Sequence, residues 1–120
     1  SYCGEEILSH SLVARALPMS HRSFFERLAW YHEDAHYIYV HAGLRPGVPL
    51  LKQRHADLIW IREEFIRKQT QLEKKVIFAH TPFHEPLVKD DKIGIDTGAV
   101  YGGALTAIEL PQERFIQSFR

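Results

Sequence analysis

Apolar positions recur along this chain with two different periods, and the change of period divides it. Over residues 4–17, "GEEILSHSLVARAL", Ile7, Leu8, Leu12 and Ala16 fall near the helical repeat, with acids early and Arg15 late, as a helix dipole favours. Pro18 ends that helix. Ser20 is placed to cap a second one over about 21–31, whose Phe24, Phe25 and Leu28 share a face. From Tyr37 to Val40 an aromatic and β-branched run predicts a strand. "AGLRPGVP", residues 42–49, holds two glycines and two prolines and predicts a loop. Leu58, Ile61 and Phe65 then form one stripe and predict a single helix over about 54–69. A second buried strand is expected over 76–79, a loop over 81–92, a short apolar step at Ile93–Ile95, and a glycine-rich turn in "DTGAVYGG", residues 96–103. "ALTAIEL", residues 104–110, alternates as a strand does. "ERFIQSF" follows "PQE" as its edge partner in an antiparallel hairpin. Helices first and strands later predict a mixed α/β arrangement.

Length and composition narrow the classes. A chain of 120 residues, 45% hydrophobic and 25% charged, suits one modest globular domain and carries no disorder signature. Fifteen basic residues balance fifteen acidic ones, so no global field points to nucleic acid or to an anionic membrane, and neither is expected as a partner. Cys3 is the single cysteine. That excludes an internal disulfide and a cysteine-based zinc knuckle, and it fits the cytoplasm. No apolar run approaches the roughly 20 residues of a membrane span. The polar start "SYCGEEILSH", without a leading Met, has no signal-peptide pattern and reads as cut from something longer.

The candidate chemistry lies at strand ends. "YIYVHAGLRP" and "VIFAHTPF" repeat one shape: an apolar run closes on a histidine, His41 or His80, and then breaks at a proline. In open α/β sheets ligands gather beyond the carboxyl ends of the strands, and imidazole is the commonest metal-ligating side chain. Two readings stay open: a converging pair of metal ligands, or two rings that each cap a strand by bonding a loop carbonyl. His10, His21, His32, His36, His55 and His84 fall on helix faces or in polar loops and read as solvated or structural. Arg62, in "LIWIREEF", is a guanidinium fork within an apolar stretch, able to grip phosphate or to pair with Asp57, Glu63 or Glu64. "DTGAVYGG" is either a structural turn or the backbone wall of a site.

Taken in order, "YVHAGLRPGVPL", "DLIWIREEF", "VIFAHTPFHEPL" and "IGIDTGAVYGGALTAIEL" resemble the C-terminal half of bacterial and phage serine/threonine protein phosphatases of the calcineurin-like metallophosphoesterase superfamily. The resemblance spans about Tyr37 to Gln117, with residues 1–36 similar to the helical stretch before it. It implies a portion, over 1–120, of a four-layer αββα sandwich with two divalent metal ions, manganese or iron and zinc, acting on a phosphoprotein or another phosphomonoester. By motif, His41 and His80 match the histidines that bind the second metal, Arg62 the arginine that contacts substrate phosphate, and Tyr101 an aromatic lining the phosphate site. Asp96 opens the "DTG" turn in a supporting role.

Two features depart from the pattern. Ala79 stands where the family has Gly, which matters if that position needs positive φ or close backbone approach. The N-terminal motifs "GDxHG", "GDxVDRG" and "GNHE", which supply the first metal's ligands and the proton donor, are absent. Asp34, Asp57, Asp90 and Asp91 stand in unrelated contexts. A missing N-terminal half of the same enzyme is therefore an expected partner, and this chain alone is expected to be inactive. Symmetrical diadenosine tetraphosphatases share the scaffold and a related "DTG" stretch. They carry Pro-Pro after "HAG" and Trp after "GH", where this chain has "LRPG" and "TP", which favours the protein-phosphatase branch. A non-catalytic interaction domain of the same fold is the third reading.

Overall fold

A computed structural model describes residues 15–119 and divides between residues 32 and 33 into two compact units. The smaller holds helix α1, Met19–Glu26, whose first turn begins at Pro18. The carbonyl of Pro18 accepts the amides of His21 and Arg22. Ser20 therefore sits inside the helix and makes no cap, and α1 ends five residues short of the predicted boundary. The helix predicted over 4–17 lies almost wholly outside the described residues. Strand β1, Tyr31–Glu33, follows at the division.

The larger unit is built on a sheet. Strands β2 (Tyr37–Val40), β3 (Lys75–Phe78), β4 (Leu87–Val88) and β5 (Lys92–Gly94) stand in the order β2-β3-β5-β4. Tyr39 pairs with Ile77 and Ile77 with Ile93, all in parallel, while β4 runs antiparallel to β5. Strand β4 corrects the loop expected over 81–92. Its two residues are too few to show a period, and only their pairing with Ile93 and Gly94 defines them.

From Val76 to Phe78 strand β3 reads as an unbroken apolar run because both its faces are covered. On one face Ile77 clusters with Tyr37 and Ile93 beneath Ile108, Leu110 and Phe115 of the hairpin β6 (Leu105–Glu109) and β7 (Arg114–Ser118). On the other, Phe78 meets Phe65 edge to face at 4.9 Å. The hairpin is antiparallel as predicted, with Glu109 opposite Arg114. Among the described residues no helix is long and apolar enough to cross a membrane.

The single helix expected over 54–69 is two: α2, His55–Trp60, and α3, Glu63–Arg67. The carbonyl of Leu58 would accept the amide of Arg62 in a continuing helix. It accepts the amide of Ala42 instead, at 2.9 Å. Ile61 is extended, at φ −60° and ψ 143°, and the chain restarts at Arg62. The loop after β2 thus interrupts the helix, and a continuous apolar stripe carries no sign of it.

Buried Lys92 fastens the second piece. Its Nζ donates to the carbonyls of Phe65 at 2.6 Å and Lys68 at 2.5 Å, at the exit of α3, and lies 4.5 Å from the centre of the Phe65 ring. Phe65, fully buried, in turn fills the space above Gly43. A Cβ there would stand 2.3 Å from Phe65 Cδ1, and Gly43 has φ +152°, so the "HAG" loop needs its glycine.

Candidate metal and phosphate site

The two strand-end histidines meet. Nε2 of His41 lies 3.1 Å from Nδ1 of His80, and the ring centres are 4.8 Å apart. The parallel ladder that places them runs one step past the strands, where the amide of Ala79 donates to the carbonyl of His41 at 2.9 Å. Strict alternation would send side chains 41 and 80 to opposite faces of the sheet. His80 leaves the strand with φ 69°, and its ring meets His41 on one side. A left-handed backbone costs a non-glycine residue roughly 1–2 kcal/mol. Ala79, in contrast, is not among the positive-φ residues, so its replacement of the family's Gly carries no such strain.

His80 is held in an unfinished environment. Its Nε2 is buried and has no hydrogen-bond partner, and neither has the buried hydroxyl of neighbouring Thr81. Buried polar atoms are nearly always partnered, so an orphaned nitrogen beside a second imidazole fits a ligand for a cation. Burial first, then the Arg62 guanidinium and His41, push the His80 pKa below the usual imidazole value, with Asp96 opposing them. A ring that stays neutral keeps a lone pair to offer. Among the described residues no group of three or more His, Cys, Asp or Glu side chains converges on one point.

Arg62 stands exposed at the break between α2 and α3. The carboxylates that could neutralise it are engaged elsewhere. Arg45 grips Asp57 in a two-pronged bond, at 2.6 and 3.2 Å, and also pairs with Glu64, while Arg67 takes Glu63 at 2.8 Å. Among the described residues Arg62 has no salt bridge. Asp96 accepts the amide of Gly98 at 3.0 Å through Oδ1, and its own carbonyl accepts the amide of Phe83. The turn after it is a short 3-10 segment, Ala99–Tyr101, between glycines at φ 71° and 91°. Its base is tied by the Thr97 hydroxyl, 2.6 Å from the Ala104 carbonyl. Tyr101 lies beside Gly98, across from Pro82, and is 83% exposed.

Sequence reasoning gave Trp60 no role. Its ring meets His80 edge on at 5.6 Å. The available sign was its place off the stripe of Leu58, Ile61 and Phe65, where a large aromatic has no core to enter.

This arrangement, a mixed sheet with imidazoles at the carboxyl ends of adjacent parallel strands, has the metallophosphoesterase fold. One solved structure titled "Crystal structure of a putative diadenosine tetraphosphatase" matches 96% of this chain and 61% of its own length, with a TM-score of 0.72 and 23% identity. Among curated proteins the chain is similar to the asymmetrical bis(5'-nucleosyl)-tetraphosphatase PrpE of Bacillus thuringiensis (strain Al Hakam), 27% identical over 107 residues, covering 75% of this chain and 43% of that protein. The same enzyme of Bacillus mycoides (strain KBAB4) is 35% identical over 60 residues, 50% of this chain and 24% of that protein. The chain spans less than half the length of these relatives. No protein-family profile matches it. The relatives' names concern dinucleoside tetraphosphates, whereas the sequence motifs had favoured phosphoproteins.

Proposed function

We propose that residues 1–120 are a single C-terminal portion of a metal-dependent phosphohydrolase whose substrate is a dinucleoside polyphosphate. The observation that carries this reading is the His41–His80 pair, with its buried unpartnered nitrogen, set beside an arginine whose neighbouring acids are already bound. The relatives' names support the substrate class.

Two divalent ions, manganese or iron and zinc, would supply when bound the activation of water and the polarisation of phosphoryl oxygens. His41 and His80 would hold the second of them through ring nitrogens. Arg62 neutralises the oxygens of the phosphate under attack, and its planar fork suits two of them at once. Asp96 braces the turn through the Gly98 amide, and Tyr101, by its motif, lines the phosphate site. An N-terminal segment supplies the remaining ligands and the proton donor. Neither nucleic acid nor a membrane is needed as a partner, and the cytoplasm suits the substrate. A second reading, phosphoprotein hydrolysis, is favoured by "LRPG" after "HAG" and by "TP" after His80.

The test uses the longest reading frame that contains this chain, assayed with manganese and with a chelator on bis(5'-adenosyl) tetraphosphate and on a phosphoserine peptide. Chelator-sensitive cleavage of the nucleotide, lost in His80→Ala, is expected. Wild-type rates in that variant would sink the ligand assignment, and a preference for the peptide would turn the reading to its rival.

A further inference from the structure

The cleft beside the imidazoles presents an aromatic face that hydrolysis itself does not require. Trp60 closes α2 with 66% of its surface exposed. One edge of the site is its contact with His80. It also lines a cleft of about 430 Å³ together with Arg45, Asp57, Arg62 and Glu64.

The helix break makes this cleft. Residues two apart on a continuous helix point in different directions. Because Ile61 is extended and buries its own side chain, Trp60 and Arg62 come to line the same hollow. The acids around them are bound to Arg45 and Arg67. Among the described residues of the cleft, the groups left without an ion-pair partner are one indole and one guanidinium.

We propose that Trp60 is the stacking platform for a nucleobase of the substrate, with the phosphate chain running from that base past Arg62 to the imidazoles. The inference rests on the dinucleoside polyphosphate reading and names a specificity-determining residue for it. A flat aromatic ring joined through ribose to phosphates is the ligand that an indole and a guanidinium in one cleft match. A phosphoserine offers the guanidinium a phosphate but gives the indole nothing flat to stack on. Every base has a π-face, so the platform selects nucleotides as a class.

Binding of AMP and of ribose 5-phosphate, measured by calorimetry with chelator present, separates the base from the phosphate. The same long reading frame is compared with its Trp60→Ala and Trp60→Phe variants. Trp60→Ala is expected to weaken AMP roughly fivefold or more, Trp60→Phe to keep most of the affinity, and ribose 5-phosphate to bind all three alike. Equal AMP affinity in Trp60→Ala and wild type, an equal loss for ribose 5-phosphate, or no AMP binding at all overturns the proposal. The hydrolase reading fails separately. A protein that binds AMP through Trp60 but never cleaves bis(5'-adenosyl) tetraphosphate keeps the platform and loses the reaction. Cleavage with KM unchanged in Trp60→Ala keeps the reaction and sinks the platform.

Discussion

The two ends of the parallel sheet are finished differently. At the amino end of β2 and β3 the polar groups are closed off against one another. Asp34 accepts the amides of His36 and Tyr37 and the hydroxyl of Tyr39, at 2.7–2.8 Å, which brings its pKa down to about 2. Lys74 bonds Glu33, and Glu113 accepts from both Lys75 and Tyr37. At the carboxyl end, among the described residues, the same strands run out into a left-handed histidine and two buried atoms without partners, beside an arginine without a salt bridge and an exposed tryptophan. One end satisfies its polar groups within the described residues, while the other leaves bonding capacity open among them.

That contrast can be broken most sharply at His80. His80→Ala is expected to abolish binding of the second manganese ion, read by calorimetry, while leaving the thermal midpoint unchanged or slightly higher, since it removes an orphaned buried nitrogen. A large fall in the midpoint would make His80 a structural cap. Lys92→Met, next in size, leaves the carbonyls of Phe65 and Lys68 without their donor. It should cost about 2 kcal/mol in a urea titration. Arg62→Ala makes the opposite point, because an exposed arginine without a salt bridge should cost less than about 0.5 kcal/mol of stability while weakening phosphate binding. At the amino end, Glu113→Gln should lose about 1 kcal/mol and leave manganese affinity untouched.

The smallest effect is one of pH. Because the folded-state pKa of Asp34 lies below its ordinary value of 3.8, its contribution is complete above that value and is lost as pH falls through about 2. Asp34→Asn should therefore lower the urea midpoint at pH 7. The gap from wild type should close near pH 2, and a constant gap would mean that the carboxylate charge is irrelevant.

Legibility followed the same division. Strand β2 was readable to the residue because its aromatic and β-branched side chains answer a local demand, as do the antiparallel hairpin and its turn. The strand-end histidines were readable as candidates, since their flanks repeat. Their meeting was not, because it depends on parallel pairing and on the φ of His80, which no side chain announces. The break after Trp60 was hidden for a related reason: an amide from a distant loop takes the Leu58 carbonyl. Whether Arg62 was paired was equally undecidable, because Asp57 and Glu64 lie within its reach along the chain but are held by Arg45, whose loop arrives from elsewhere.

The Ala79 to His41 hydrogen bond has a consequence for how the chain acquires this site. The two imidazoles stand 39 residues apart in sequence, and parallel strands cannot pair through a tight turn. The intervening crossover has to be brought back onto β2 before either histidine has a neighbour, and the entropy of that closure is spent before any contact returns it. Assembly of the pair is thus a late, non-local event. A nascent chain presents His41 without its neighbouring imidazole until β3 has been made and docked.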